Sequence, residues 1–253
     1  MKNLPQGNKK VTGDYQGVGQ LRDSESGFPK YRKWIATTIY NSFLVYSSQQ
    51  SKPKIMEFGA GTGSLAGYIS EISSSDVTCI EIDPTLIQIL AKRNFTTYRD
   101  IQSAVKDQGP FDLIYSSNVL EHIEDDLASL IELRDALVPS TGLLVLYLPA
   151  HQWLFSDLDR HVGHFRRYSK KRLTELMSMA ELKIVQMCYT DTLGVAATLT
   201  IKILGYKGSL KIGGIRSMLL YDRFVHPLSK SLDWVGFKHL IGCNIMLVAQ
   251  RNT

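Results

Sequence analysis

The chain has 253 residues, enough to bury one substantial core with an appended cap. Its 44% hydrophobic and 21% charged residues exclude the disordered and fibrous classes. A formal net charge of +5 is mild and only weakly favours a phosphate, a nucleic acid or a lipid surface as partner.

Residues 1–30 are polar and rich in Gly, Ser, Lys and Asp, and read as a loosely ordered lead-in. They contain no apolar run of the kind that forms a signal-peptide core, and no stretch of the chain reaches the length of a membrane span. A cytoplasmic protein is therefore expected. Cys79, Cys188 and Cys243 are widely spaced among apolar neighbours, which fits buried thiols better than disulfides or a zinc site.

From 31 to 46, Trp34, Ile35, Ile39, Tyr40, Phe43 and Leu44 recur at helical spacing, so a helix is predicted ahead of the first strand. Strand-like and helix-like segments then alternate: KIMEFG, LAGYISEI, VTCIEID, PTLIQILAKRN, FTTYRD, FDLIYSSN, LEHIEDDLASLIELRDAL and GLLVLYLP. This alternation predicts an α/β fold, a parallel sheet with helices on both faces. Strands that are apolar throughout agree with that burial. SKKRLTELMSMA reads as a further helix, and LKIVQMCYT and CNIMLVAQ read as the remaining strands. The long connection between those two strands is expected to form an insert of its own. The domain reading is a lead-in and cap helix at 1–50, a core at 51–190, an insert at 191–241 and a last core strand at 242–253.

The sharpest local feature is an apolar strand running into alternating glycines, Ile55-Met56-Glu57-Phe58-Gly59-Ala60-Gly61-Thr62-Gly63. Glycine there permits otherwise closed backbone angles and lets a ligand approach the main chain. A glycine loop alone is weak evidence, since tight turns also use it. The next strand ends in Cys79-Ile80-Glu81-Ile82-Asp83-Pro84, which places Glu81 where a ribose hydroxyl pair needs an acceptor. Asp83, followed by proline and a helical pattern, reads as a helix N-cap. Tyr98-Arg99-Asp100 and Ser116-Ser117-Asn118 end the third and fourth strands at the carboxyl edge, where open α/β sheets bind ligands.

Together EFGAGTGSL, CIEIDP and FDLIYSSNVLEHI resemble the class I S-adenosyl-L-methionine-dependent methyltransferases, from residue 31 to 182 and in the last strand. The third glycine comes one residue sooner than in the G-x-G-x-x-G of dinucleotide dehydrogenases. The resemblance implies a Rossmann-like seven-stranded, mostly parallel sheet whose last strand is antiparallel, with S-adenosyl-L-methionine as cofactor. It places Glu57 and Gly59 near the methionine amino group, with Ala60, Gly61 and Gly63 completing the loop. Glu81, with Ile82, would hold the ribose, Asp100 and the Ile101 backbone would face the adenine, and Asn118 would line the methionine side. It makes His122 a helix-start residue that orders the loop; Leu120, Ile123, Leu127, Leu130 and Ile131 repeat at helical spacing and read as core.

The segment 149–168, PAHQWLFSDLDRHVGHFRRY, is dense in groups that transfer protons or bind anions and leaves the sheet at the same edge. It is the candidate acceptor site, with Asp157, Asp159, Arg166, Arg167 and Tyr168 as substrate-binding residues. Methyl transfer to a hydroxyl needs an aligned nucleophile and a base. A neutral histidine suits that base: His151 is the first choice and His164 the second. Each also reads as a loop histidine hydrogen-bonded to the core. Since adjacent residues of an extended segment point opposite ways, one of Arg166 and Arg167 is expected to be structural. Metal is not expected, because Gly163 argues against the helix that would bring His161 and His164 together beside Asp157 and Asp159. The pattern of this segment also resembles bacterial methyltransferases of glycan, lipid-linked and secondary-metabolite pathways.

The insert combines apolar patches with glycines and scattered Lys and Arg, as a packed cap, a lid over an apolar substrate or a peripheral membrane surface would. A small-molecule or lipid-linked acceptor is the expected partner. Nucleic acid is disfavoured, because no Asn-Pro-Pro-Tyr type motif follows the fourth strand and no basic aromatic RNA module is visible. A binder that keeps the cofactor fold without turnover is the alternative of a different class.

Overall fold

The computed structural model describes residues 26–47, 52–204 and 214–251. The first long helix, α1 (Pro29–Tyr46), starts two residues before the predicted position, because proline is suited to the first helical turn. No side chain of its own caps it. Instead Asp222, from the insert, accepts the Lys30 and Tyr31 N–H groups at 3.1 and 2.7 Å, so an acid distant in sequence satisfies two of the orphan donors. The buried face of α1 carries Ile35, Ala36, Ile39 and Phe43.

The sheet contains β1 (Ile55–Phe58), β2 (Val77–Ile80), β3 (Thr97–Tyr98), β4 (Leu113–Ser117), β5 (Leu143–Pro149), β6 (Leu182–Thr190) and β7 (Asn244–Arg251) in the order β3-β2-β1-β4-β5-β7-β6. β1 to β5 run parallel, and β7 is antiparallel to both β5 and β6. This is the Rossmann-like seven-stranded fold. Strand order reverses between β1 and β4, so the crevice that binds ligands in such sheets opens between their carboxyl ends.

Alternation along the strands splits the core into two layers. Met56, Ile114, Leu144 and Leu146 face one layer, beneath α4 (Ile101–Gln108), α5 (Asp126–Asp135) and α7 (Lys170–Met179). Ile55, Leu113, Tyr115 and Val145 face the other, beneath α1, α2 (Ser64–Ser73) and α3 (Pro84–Lys92). Cys79 is buried, while Cys188 and Cys243 are half-buried thiols.

Two predicted elements are shorter than their sequence patterns. FTTYRD supplies only the two residues of β3. The run from Leu120 is not one helix: a 3₁₀ turn spans Leu120–His122, and α5 begins only after Asp125, whose side chain accepts the Ala128 N–H. His122 thus ends the turn rather than starting a helix. Leu120 and Leu130 are buried, and Ile123, Leu127 and Ile131 pack against the same core.

After the short helix α6 (Asp157–His161), α7 and β6, the insert forms α8 (Gly194–Leu204), α9 (Ile215–Leu220), a π turn over Tyr221–Val225 and α10 (His226–Trp234). Asp191 anchors it, accepting the Tyr221 and Ser229 hydroxyls at 2.6 and 2.9 Å, while Asp233 accepts the Asp191 N–H at 2.8 Å. These buried acids are fully partnered, which makes the insert's base part of the packed body. No helix among the described residues is long and apolar enough to cross a membrane.

Candidate active site

Between β1 and α2 the chain turns through Gly59, Gly61 and Gly63, all at positive φ. A side chain at Gly59 (φ 74°) would place Cβ 2.4 Å from Val119, and one at Gly63 would place it 2.7 Å from Leu90. The Gly59 and Ala60 N–H groups both donate to the Ile80 carbonyl at 3.0 Å, pinning the loop to the end of β2.

Glu81, at that end, is buried and already engaged. Its Oε2 accepts the Gly61 N–H at 2.8 Å, and its Oε1 accepts those of Ile82 and Asp83 at 2.9 and 3.0 Å. Ile82 itself is 66% exposed, an apolar surface held out at the edge of the cradle. Asp83 N-caps α3, accepting the Thr85 and Leu86 N–H groups, with Pro84 behind it. Across the crevice Asn118 is exposed at φ 53°, and its N–H donates to the Tyr147 carbonyl at 2.8 Å.

Glu57 is buried beneath the loop, and the Tyr115 hydroxyl donates to its Oε2 at 3.1 Å. Burial pushes its carboxyl up to about 8, against the opposing pull of Tyr115 and Arg32. Asp100 caps α4 through the Ser103 N–H and hydroxyl, which hold its carboxyl below the usual range. The Asp100 carboxylate is exposed at the cleft edge and Ile101 is buried beside it. The donor set and glycine cradle fit an adenosyl amino acid: acceptors for ribose hydroxyls, an exposed apolar face and an acid for a cation. A separate cavity of about 270 Å³ lies at the opposite, amino-terminal edge of the sheet, lined by Pro53, Ile55 and Thr78.

His151 lies two residues past the end of β5 and sits at φ 64°, ψ 100°, a backbone conformation that costs a residue with a side chain. Its N–H donates to the Tyr168 carbonyl at 2.8 Å, its ring stacks on Tyr189 at 4.8 Å, and Nε2 has no hydrogen-bond partner. Burial lowers its pKa, aided by Arg167 and Lys170 and opposed by a hydrogen bond with the Gly242 backbone, so the ring is neutral at pH 7.

The other expected acceptor-site residues are brought together, but largely around one another. Asp159, 1% exposed, accepts the Ser156 N–H at 2.8 Å and the Arg167 Nε–H at 2.7 Å, and lies 3.0 Å from His164 Nδ1. Burial opposes ionisation of Asp159, yet those partners outweigh it and hold the carboxyl down to about 2. Arg166 donates to the Ile123 and Glu124 carbonyls and pairs with Asp126 at 3.0 Å. Tyr168 is fully buried, its hydroxyl donating to Asp126 at 3.3 Å. Both arginines are thus tied within the protein, where only one was expected to be. Asp157 is exposed and pairs with Arg160. Sequence reasoning passed over Glu121, wholly buried in the turn beside His122 and His164. The one available signal was an acid inside the apolar LEHI run.

A family profile described as "Methyltransferase domain" matches residues 31–187. The chain belongs to that family, one of the S-adenosyl-L-methionine-dependent methyltransferases. It is 34% identical over 126 residues to the reducing polyketide synthase Preu2 of Preussia isomera, a match over 45% of this chain and only 5% of that protein. Its fold is shared by solved structures that include the following two. One is the plantazolicin methyltransferase BpumL in complex with S-adenosylhomocysteine (TM-score 0.60, 13% identity, 96% of this chain and 92% of that one). The other is a methyltransferase bound to the Trm112 activator of Haloferax volcanii (TM-score 0.60, 12% identity, 94% of this chain and 96% of that one).

Proposed function

We propose that the chain methylates an oxygen of a small-molecule, sugar or lipid-linked acceptor, with His151 as the general base. The observation that carries this is the His151 ring: its pKa is lowered by burial, its Nε2 is buried without a hydrogen-bond partner, and it is held in a costly backbone conformation at the carboxyl edge of β5. When bound, the cofactor supplies an electrophilic methyl on a sulfonium and leaves as the neutral thioether S-adenosylhomocysteine. Glu81 orients the ribose from the cradle, and Glu57 balances the charge of the methionine ammonium. His151 would take the proton of the acceptor hydroxyl as that oxygen is methylated. The remaining rate gain comes from alignment across the β1–β4 crevice.

A lipid-linked acceptor is favoured by the insert, where Ile203, Leu220, Phe224, Leu228 and Trp234 are more than half exposed, Trp234 at 84%. Single exposed apolar residues are ordinary, but this many in one segment would suit contact with an acyl chain or a bilayer. Purified protein and methyl-labelled cofactor, incubated with an extract of its own cells, test the reading. Label in the organic phase supports a lipid or prenyl-type acceptor, and aqueous low-mass label supports a sugar or metabolite. Cofactor binding without transfer to either phase would count against catalysis and for a binder.

A further inference from the structure

Glu121 has no part in the methyl-transfer scheme. It is 0% exposed in the 3₁₀ turn after β4, and neither carboxylate oxygen has a hydrogen-bond partner. Buried carboxylates are ordinarily paired, protonated or bound to a metal. The imidazole facing it, His164, brings Nε2 to 3.7 Å from Oε1, too far for a hydrogen bond. His122, the next residue in the turn, packs its ring edge-on against His164 with centroids 4.6 Å apart.

One potential ligand atom from each of Glu121, His122 and His164 lies within 4.8 Å of the other two. Three ligands with bonds of about 2.1 Å in a tetrahedral site stand about 3.4 Å apart, so the side chains need to close by roughly an ångström. The His164 ring is held from behind. His164 Nδ1 is 3.0 Å from Asp159, itself fixed by Arg167 and Ser156, which directs Nε2 toward Glu121. His122 makes a hydrogen bond with the Gly163 backbone. A histidine whose far nitrogen is fixed by a carboxylate or a carbonyl is the usual setting of a metal-bound imidazole.

We propose that Glu121, His122 and His164 bind a divalent first-row transition-metal ion at the carboxyl edge of β4, beside the acceptor segment. One carboxylate and two imidazoles are a mixed oxygen and nitrogen set that suits zinc-like ions better than calcium or magnesium. Three protein ligands leave a position open to water or an acceptor oxygen. His164 then serves as a ligand rather than a spare base. Asp159 becomes a positioning residue for it. The proposal goes beyond the methyl-transfer reading and is tested without turnover.

The full chain, dialysed against EDTA, is titrated with Co²⁺ while visible absorption and thermal melting are followed. Ligand-field bands saturating at about one ion per chain are expected, with a melting temperature that climbs with free Co²⁺. Glu121→Gln and His122→Asn should lose the bands. Asp159→Asn should weaken Co²⁺ binding by about ten- to a hundredfold. S-adenosylhomocysteine binding to the EDTA-treated chain, measured by calorimetry, reports the cofactor site separately and is expected to persist. No saturable binding of Co²⁺ or Zn²⁺ to the wild-type chain overturns the proposal. Binding that is unchanged in both Glu121→Gln and His122→Asn does so too.

Discussion

The Glu81 carboxylate receives the Gly61 N–H at 2.8 Å across the gap between the β1 and β2 loops, while its other oxygen is held by Ile82 and Asp83. One side chain therefore fixes the glycine loop and, under the proposed assignment, would present its remaining Oε2 lone pair to a ribose hydroxyl with no rearrangement on binding. Glu81→Ala strands three N–H groups and is expected to cost about 2 kcal/mol or more of stability. Affinity for S-adenosylhomocysteine should fall at least about tenfold, the loss of one charged hydrogen bond. Melting curves and titration calorimetry check the two effects, and an unchanged affinity would remove the ribose assignment.

Gly59 and Val119 form the steric lock of the same cradle. A methyl at Gly59 meets Val119 Cγ2 at 2.4 Å and also has to accept φ 74°. Positive φ costs about 1–2 kcal/mol, and overpacking adds about 1–3. Gly59→Ala should thus destabilise by about 2–5 kcal/mol and abolish measurable cofactor binding. Adding Val119→Ala should recover only the steric part. A double-mutant cycle reads that coupling, and its absence would mean that backbone strain alone sets the glycine requirement.

What the sequence made legible follows the physics that acts over short spans. The apolar strands, the glycine loop and the Asp83-Pro84 cap are local patterns, and each lies where its chemistry placed it. The break before α5 was legible in principle from Asp125, an N-cap residue inside the apolar repeat, but the period of Leu120, Ile123 and Leu127 concealed it. Partnerships across the fold were not legible. Spacing separates the directions of Arg166 and Arg167 but not the buried acids Asp126 and Asp159 that receive them. Nor does any local pattern tell that α1 receives its cap from Asp222 in the insert.

Glu57 is expected to make the proposed cofactor site sensitive to pH. Burial raises its carboxyl from the ordinary 4.5 to about 8, so between those values the folded chain keeps a proton that the unfolded chain has released. Its contribution to stability is complete below about pH 4.5 and is lost as pH rises through about 8, with a slope of at most about 1.4 kcal/mol per pH unit. Glu57→Gln cannot ionise, so the stability of the variant relative to wild type should improve across that window. Binding of the methionine ammonium favours the carboxylate and should release a proton below about pH 8. Calorimetry of S-adenosylhomocysteine in two buffers of different ionisation enthalpy measures that proton. No release would separate Glu57 from the ammonium.

His151 brings together a catalytic expectation and a structural one, and two substitutions separate them. Its lowered pKa means that a base built on this ring stays neutral below the usual imidazole midpoint, so the acid limb of the activity profile should fall below pH 6.5. His151→Ala is expected to lower kcat by about 10²–10⁴ with a smaller change in KM, as loss of a general base does. At φ 64° glycine is the less strained replacement, so His151→Gly should be about 1 kcal/mol more stable than His151→Ala and equally inactive. If activity instead returns with the stability of His151→Gly, the histidine shapes the loop and the proton goes elsewhere. Added imidazole distinguishes the same readings, since it restores turnover to the glycine variant only where a missing base was the defect.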